Sequence, residues 1–159
     1  AEYQKQRILT FLNPDLDPMG SAYHIIQSVT AIGSGGFFGK GFGQGSQTQL
    51  KFLPVQESDF ILSVIAEEFG FMGVSVVMII FFLFIKTLLD IAFKLSDYFS
   101  SLVIVGITSI LLSHIFINSA MTIGLLPVKG LPLPFISAGG SFLLSCFIML
   151  SLVINLSDN

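Results

Sequence analysis

Three apolar runs decide what this chain can fold into. Residues 60–85 are enough to cross a bilayer, and 69–85 hold 17 consecutive residues without a charge. Residues 102–126 form a second run, uncharged apart from any charge on His114. The third, 142–156, has 15 residues, short of the roughly 20 that a spanning helix needs, and can borrow from 131–141. Spans are therefore expected at about 60–85, 102–126 and 142–156. Lys86, Asp90, Lys94 and Asp97 make a polar connection between the first two.

Composition agrees. The chain is 53% hydrophobic and 11% charged, where soluble domains carry roughly 25% charged residues. This reads as an all-α, polytopic membrane protein. A net charge of −3 gives no electrostatic footprint for nucleic acid. The single Cys146 lies in an apolar run, which excludes a disulfide framework and metal-finger spacing. The short apolar run 8–12 stops at Asn13-Pro14 and does not read as a signal peptide.

Residues 1–58 are polar and glycine-rich, and residues 59–159 form the transmembrane region. Within the first part, 8–12 reads as a short interfacial helix and 15–20 as a turn. Ala22, Ile25, Ile26, Val29 and Ile32 recur at helical spacing over 21–32, with Gln27 and Ser28 on or near the polar side. Gly33-Ser34-Gly35-Gly36 is expected to end that helix. A phosphate loop would need a preceding strand and a Ser or Thr after Lys40, but Gly41 follows it. The cluster reads instead as a tight loop whose glycines take positive backbone angles and pack closely. Amides exposed there could still bind an anionic head group.

The two parts meet at Leu53-Pro54-Val55-Gln56-Glu57-Ser58-Asp59-Phe60. Pro54 disfavours helix at Leu53, so the helix begins after it. Ser58 or Asp59 is a good N-cap, and Glu57 suits the positive helix end. An acid at the lip of a membrane helix is either a cap or a reagent.

Polar groups deeper in the runs need partners, since a central charge costs roughly 2.5–3.5 kcal/mol to insert. Glu67 and Glu68 lie about two turns into the first run. Adjacent glutamates do not face one direction, so at most one is expected to enter a shared cavity. His114 and Asn118 are four apart and share a face, where helix–helix hydrogen bonding is the favoured reading. The segment 124–141 holds three prolines and four glycines, which forbid a regular helix. Backbone of that kind is tolerated at a membrane where protein buries it or water lines it. Two spans separate it from Asp59, so both lie on one side and Lys129 and Asp59 are expected to be able to meet. Lysine counting near the span ends is a tie and does not orient the chain.

These residues resemble a known family. Gln27-Ser28, Ala31 to Gly36, Gly39-Lys40-Gly41, Leu53-Pro54, Asp59-Phe60-Ile61, Glu67-Glu68-x-Gly70, Gly124 to Pro127, Gly130, Pro132 to Ser137 and Gly139-Gly140-Ser141 look like SEDS (shape, elongation, division and sporulation) proteins. The blocks occur in the family's order across nearly the whole chain. Arg7-Ile8, Phe11 to Pro14 and the Gly39 block look most like the RodA branch, whereas Lys129-Gly130 is nearer the FtsW form.

The resemblance implies the C-terminal part of a ten-helix SEDS fold, with a large extracellular loop containing short helices. It implies a peptidoglycan glycosyltransferase polymerising lipid II at the outer face of the bacterial inner membrane, beside a class B penicillin-binding protein. Residues 1–58 and 127–141 would then lie outside. The family acid falls on Asp59, as catalytic residue, and the later-loop lysine on Lys129. Lys129, Lys51, Gln27, Ser28, Gly35, Gly36 and Ser137 are the candidates for holding pyrophosphate or lipid II, with amides of 33–36 contributing. Glu57, Glu67, Glu68 and Asn118 are candidate supports. A divalent cation, Mg2+ or Mn2+, is an open option without a ligand cluster to specify it.

The chain departs from the family pattern at Val55, Glu57, Ser58 and Ala138, where Glu, His, Thr and Tyr are usual. The family's earlier spans are missing, so the chain reads as a fragment or one part of a split protein and is expected to be inactive alone. A lipid flippase and a non-catalytic partner module are the rival classes. Lipid II translocation that survives Asp59→Asn without any polymerisation would mark the first, and a complex indifferent to Asp59→Ala the second.

Overall fold

The computed structural model describes residues 21–45 and 58–157. Among them are four helices, α1 (Ser21–Gly35), α2 (Ile61–Lys94), α3 (Tyr98–Thr122) and α4 (Gly140–Ser157), and no strand. The expected helix at 8–12 and turn at 15–20 lie outside the described residues. α2, α3 and α4, of 34, 25 and 18 residues, are each long and apolar enough to cross a membrane.

The ends differ from the sequence expectation for local reasons. α1 runs on to Gly35 rather than stopping at Ile32. α2 passes Ile85 and carries Lys86 and Asp90 as exposed residues of the same helix, with Lys94 in its last turn, where a cation suits the helix dipole. α3 stops at Thr122, four residues short of the apolar run's end. Gly124 takes φ 76 and donates to Met121 O at 3.2 Å, while Leu125 N donates to Ala120 O at 2.8 Å. These are the two bonds of a Schellman stop.

Asp97 starts α3. Its carboxylate accepts from the amides of Phe99 and Ser100 and from the Ser100 hydroxyl. The Ser100 hydroxyl, then the Ser100 amide, hold its pKa below the ordinary value against an opposing effect of burial, with the Phe99 amide adding to the lowering. Because the folded-state value is lowered, the stabilisation is complete above the unfolded value and fades as pH falls through the folded one. Asp97→Asn, which caps without titrating, should therefore flatten the pH dependence of the unfolding midpoint below about pH 4. Parallel curves for the two proteins would contradict this.

The core lies between α2 and α3. Phe81, Ile85, Leu88 and Ala92 pack with Ile104, Ile107, Leu111 and Ile115, and Cys146 and Val153 of α4 join them. Ile79, Phe82, Leu83, Leu144, Phe147 and Ile148 point outward and are exposed, the pattern of a lipid-facing surface.

One break shapes everything near Asp59. Gly70 interrupts α2 with φ 67 and ψ −163, a region essentially reserved for glycine. The bend is large. Asn118 reaches Asp59 and its neighbour Ser119 reaches Met78, although a straight helix would separate Asp59 and Met78 by about 28 Å.

The break is filled by the glycine loop after α1. In an unbroken helix, Phe71 and Met72 would donate to Glu67 and Glu68. Here Phe71 N and Met72 N donate to Gly36 O and Phe37 O, at 2.9 and 3.2 Å. Lys40 N and Gly41 N donate to the freed Glu67 and Glu68 carbonyls, both at 3.0 Å. All four backbone groups are thus satisfied by inserted chain, as a buried break requires. The fit needs Gly39 and Gly70: a Cβ on Gly39 would collide with the Glu68 carbonyl, and one on Gly70 with Gly39 N and Phe37 O.

Candidate functional site

α1 lies against the first half of α2 and the end of α3. The fully buried Ser28 donates to Thr122 O at 2.6 Å, so Ser63 must be the donor in the 2.6 Å bond between the two serine hydroxyls. One hydroxyl therefore ties three elements together. Gly35 is buried against Ala66, whose carbonyl a Cβ would strike.

Asp59 stands at the point where this unit meets α3 and the non-helical segment 123–139. The expectation that Ser58 or Asp59 caps α2 is corrected: the N-cap is Phe60, with φ −115 and ψ 23 and no side-chain cap bond. The Phe60 ring is buried with Met121 and Val128, and that burial anchors the helix start. The Asp59 carboxylate is consequently not engaged in capping. It is half-buried, and Oδ1 accepts from the Ser58 hydroxyl at 3.1 Å.

The backbone around Asp59 is held from two sides. Asn118 Nδ2 donates to Asp59 O at 3.0 Å and to Leu131 O at 2.8 Å. The Ser137 hydroxyl donates to Ser58 O and accepts from Leu133 N at 2.8 Å. His114, one turn before Asn118, lies with Nδ1 3.3 Å from Pro132 O and stacks on Phe142 with ring centroids 4.7 Å apart. His114 and Asn118 thus bond the carbonyls of a broken segment rather than a neighbouring helix, because prolines leave those carbonyls without helical partners.

Several expected site residues stand elsewhere. Lys129 is exposed, and among the described residues the ion pair joins Lys40 to Glu67, with none joining Lys129 to Asp59. The neighbour of the carboxylate is Gly130, at φ 65, where a Cβ would lie 3.3 Å from Asp59 Oδ2. Gly33 and Gly35 are helical, which commits their amides, and a helix C-terminus presents carbonyls rather than donors. Gly36 is exposed but uses its carbonyl in the α2 break. Gln27 is half-buried on α1. Lys51 and Glu57 lie outside the described residues.

Both glutamates serve the glycine loop, each at a different point, as adjacent positions that do not face one direction must. Glu67 Oε1 is 2.8 Å from Lys40 Nζ, and Glu68 Oε1 accepts from Gly43 N at 3.2 Å. The loop crosses two faces of the half-helix, so adjacent positions meet it at different points. The sequence carried a signal for this: two acids in an apolar run need a partner, and Lys40 lies in the glycine cluster. The grip of Asn118 and Ser137 on main-chain carbonyls had no such signal.

The arrangement is a carboxylate whose Oδ2 accepts no hydrogen bond among the described residues, fixed on a backbone clamped by α3 and by segment 123–139. It is equipped to accept a proton from a hydroxyl. Among the described residues no three His, Cys, Asp or Glu side chains converge as a divalent-cation site would require. Ser137→Ala removes the donor to Ser58 O and the acceptor for Leu133 N. It should destabilise the protein by about 1–3 kcal/mol, read from unfolding midpoints. An unchanged midpoint would remove Ser137 from the clamp.

A polytopic helical membrane protein with an acid held beside a broken, apolar segment is the class that fold and site define. The chain belongs to the FtsW/RodA/SpoVE cell cycle protein family, whose model matches residues 1–159. It is 46% identical over 143 residues to the peptidoglycan glycosyltransferase MrdB of Escherichia coli strain K12, covering 90% of this chain and 39% of that protein. It is 44% identical over 157 residues to the probable peptidoglycan glycosyltransferase FtsW of Trichlorobacter lovleyi, covering 99% of this chain and 41% of that one. A solved chain, from work on the structural coordination of polymerization and crosslinking by a peptidoglycan synthase complex, superposes with a TM-score of 0.79 at 28% identity. That match covers 99% of this chain and 42% of the solved one. The chain thus spans about two fifths of the length of the relatives it matches.

Proposed function

We propose that the protein carrying this chain is a peptidoglycan glycosyltransferase that polymerises lipid II, with Asp59 as general base. The acceptor sugar's hydroxyl must lose a proton as it attacks the anomeric carbon of the donor, and a positioned carboxylate takes it. The observation that carries this reading is that the Asp59 carboxylate is spared from capping while its backbone is clamped by Asn118 and Ser137. A purely structural acid at a helix start would bond the first-turn amides instead.

The leaving lipid pyrophosphate gathers charge that cations or amides must balance. Lys129, exposed beside Gly130, is the described residue best suited to meet it, with Lys51 as second candidate. The names of the relatives support the transferase reading over a flippase or a non-catalytic module. Within it we favour cell elongation, as in the RodA branch, with residues 1–58 and 127–141 on the outer face of a bacterial inner membrane. A class B penicillin-binding protein is the proposed partner. Mg2+ or Mn2+ remains an option for the full protein.

The test is glycan-strand formation from purified lipid II by the full-length protein with its partner, with and without Asp59→Asn. Translocation of lipid II without any polymer from the unaltered protein would refute the transferase reading.

A further inference from the structure

We infer that Glu67 is a positioning residue for Asp59: its part-buried ion pair with Lys40 locks the glycine loop into the break of α2 and so fixes where Asp59 stands. The inference rests on Asp59 being the reacting acid. The Glu67 side chain is 0% exposed and that of Lys40 30%, with 2.8 Å between them. The pair sits beside the four backbone bonds that replace the missing helical ones at Gly70.

The geometry explains why this matters at a distance. Asp59 lies just before the first half of α2 and Gly70 at the end of that half, so the angle at Gly70 determines where Asp59 points. The first half carries α1 with it through the Ser28–Ser63 bond. The second half is packed into the α2–α3 core through Phe81, Ile85 and Leu88. Without the loop, a glycine break has no preferred angle of its own. The inserted backbone supplies the angle, and Lys40–Glu67 is its charged clasp. Removing either charge breaks the pair and loosens the clasp. Glu67 does not touch the reacting atoms; it acts through the backbone of α2.

Two readouts test this in the full-length protein, in a background free of native cysteines. Glu67→Gln, nearly isosteric, and Lys40→Met, at the partly exposed end, should each lower kcat about 10- to 100-fold while KM stays within about threefold, as misplacement of a catalytic group does. The exchange Lys40→Glu with Glu67→Lys should recover part of the loss. Nitroxide labels at the exposed Thr30 and Leu83 report the angle between the halves, and their distance distribution should broaden in both single variants. Loss of kcat with an unchanged distribution would make Glu67 part of the chemistry and overturn the inference. Broadening with unchanged kcat would overturn it as well. The distance arm does not depend on Asp59, so if Asp59→Asn keeps its rate, the functional reading fails while the geometry is still read out.

Discussion

Asp59→Asn should lower glycan-strand formation by about 100- to 10,000-fold, the range a lost general base commands, while leaving the fold nearly unchanged. The second half of that expectation follows from the clamp. Asn118 and Ser137 hold the carbonyls of Asp59 and Ser58, not the carboxylate, so the backbone geometry survives the substitution. Among the described residues the carboxylate accepts one bond, from the adjacent Ser58 hydroxyl, and an amide oxygen accepts the same bond. Phe60, not Asp59, is the N-cap, so no cap is lost. A change of stability within about 0.5 kcal/mol is expected, as for a substitution that breaks no core or cap. The measurement pairs product formed from lipid II with an unfolding midpoint at equal protein. Asp59→Glu is a useful companion, since its longer side chain presses towards Gly130 and should keep only part of the rate. Activity of Asp59→Asn within tenfold of the parent would remove Asp59 as the base.

Asn118→Leu should be more damaging to structure and less informative about chemistry. It leaves two carbonyls, of Asp59 and Leu131, without their shared donor at a buried position. The contrast separates what Asp59 does from what holds it.

The spans were legible because charge-free apolar length is a one-dimensional property, and α2, α3 and α4 overlap the three runs read from the sequence. Asp59 was legible as a position of interest, since an acid between Pro54 and an apolar run has few uses. Its capping role was misread because propensity speaks for Ser58 and Asp59, whereas burial of the Phe60 ring against Met121 and Val128 decided the helix start. That the backbone at Gly130, rather than the Lys129 ammonium, lies next to the carboxylate is not legible, because sequence places both segments on one side of the spans without giving the turn. The glycine loop was read as tight packing, which it is. What it packs into was invisible, since nothing local to residues 35–41 names Gly70 as their partner.

That partnership makes the largest stability prediction. Gly70→Ala should destabilise the protein by more than about 3 kcal/mol, because two independent costs coincide. The backbone at φ 67 and ψ −163 lies where a Cβ residue pays about 1–3 kcal/mol of strain. The new methyl also collides with Gly39 N and Phe37 O, which are main chain and have no rotamer by which to yield. Relief requires withdrawing the loop, which strands the amides of Phe71 and Met72 and the carbonyls of Glu67 and Glu68, each buried polar group costing about 1–3 kcal/mol if left unmet. Gly39→Ala should behave alike, since its methyl meets the Glu68 carbonyl at a positive φ. Gly106→Ala is the control. It lies in the middle of α3 with open space around a new Cβ, and there alanine should raise stability by about 0.5–1 kcal/mol. Unfolding midpoints of the three variants in one detergent test the set. A Gly70→Ala protein as stable as the parent would mean that α2 closes into an unbroken helix without the loop, and that the bend placing Asp59 against Asn118 is not imposed at Gly70.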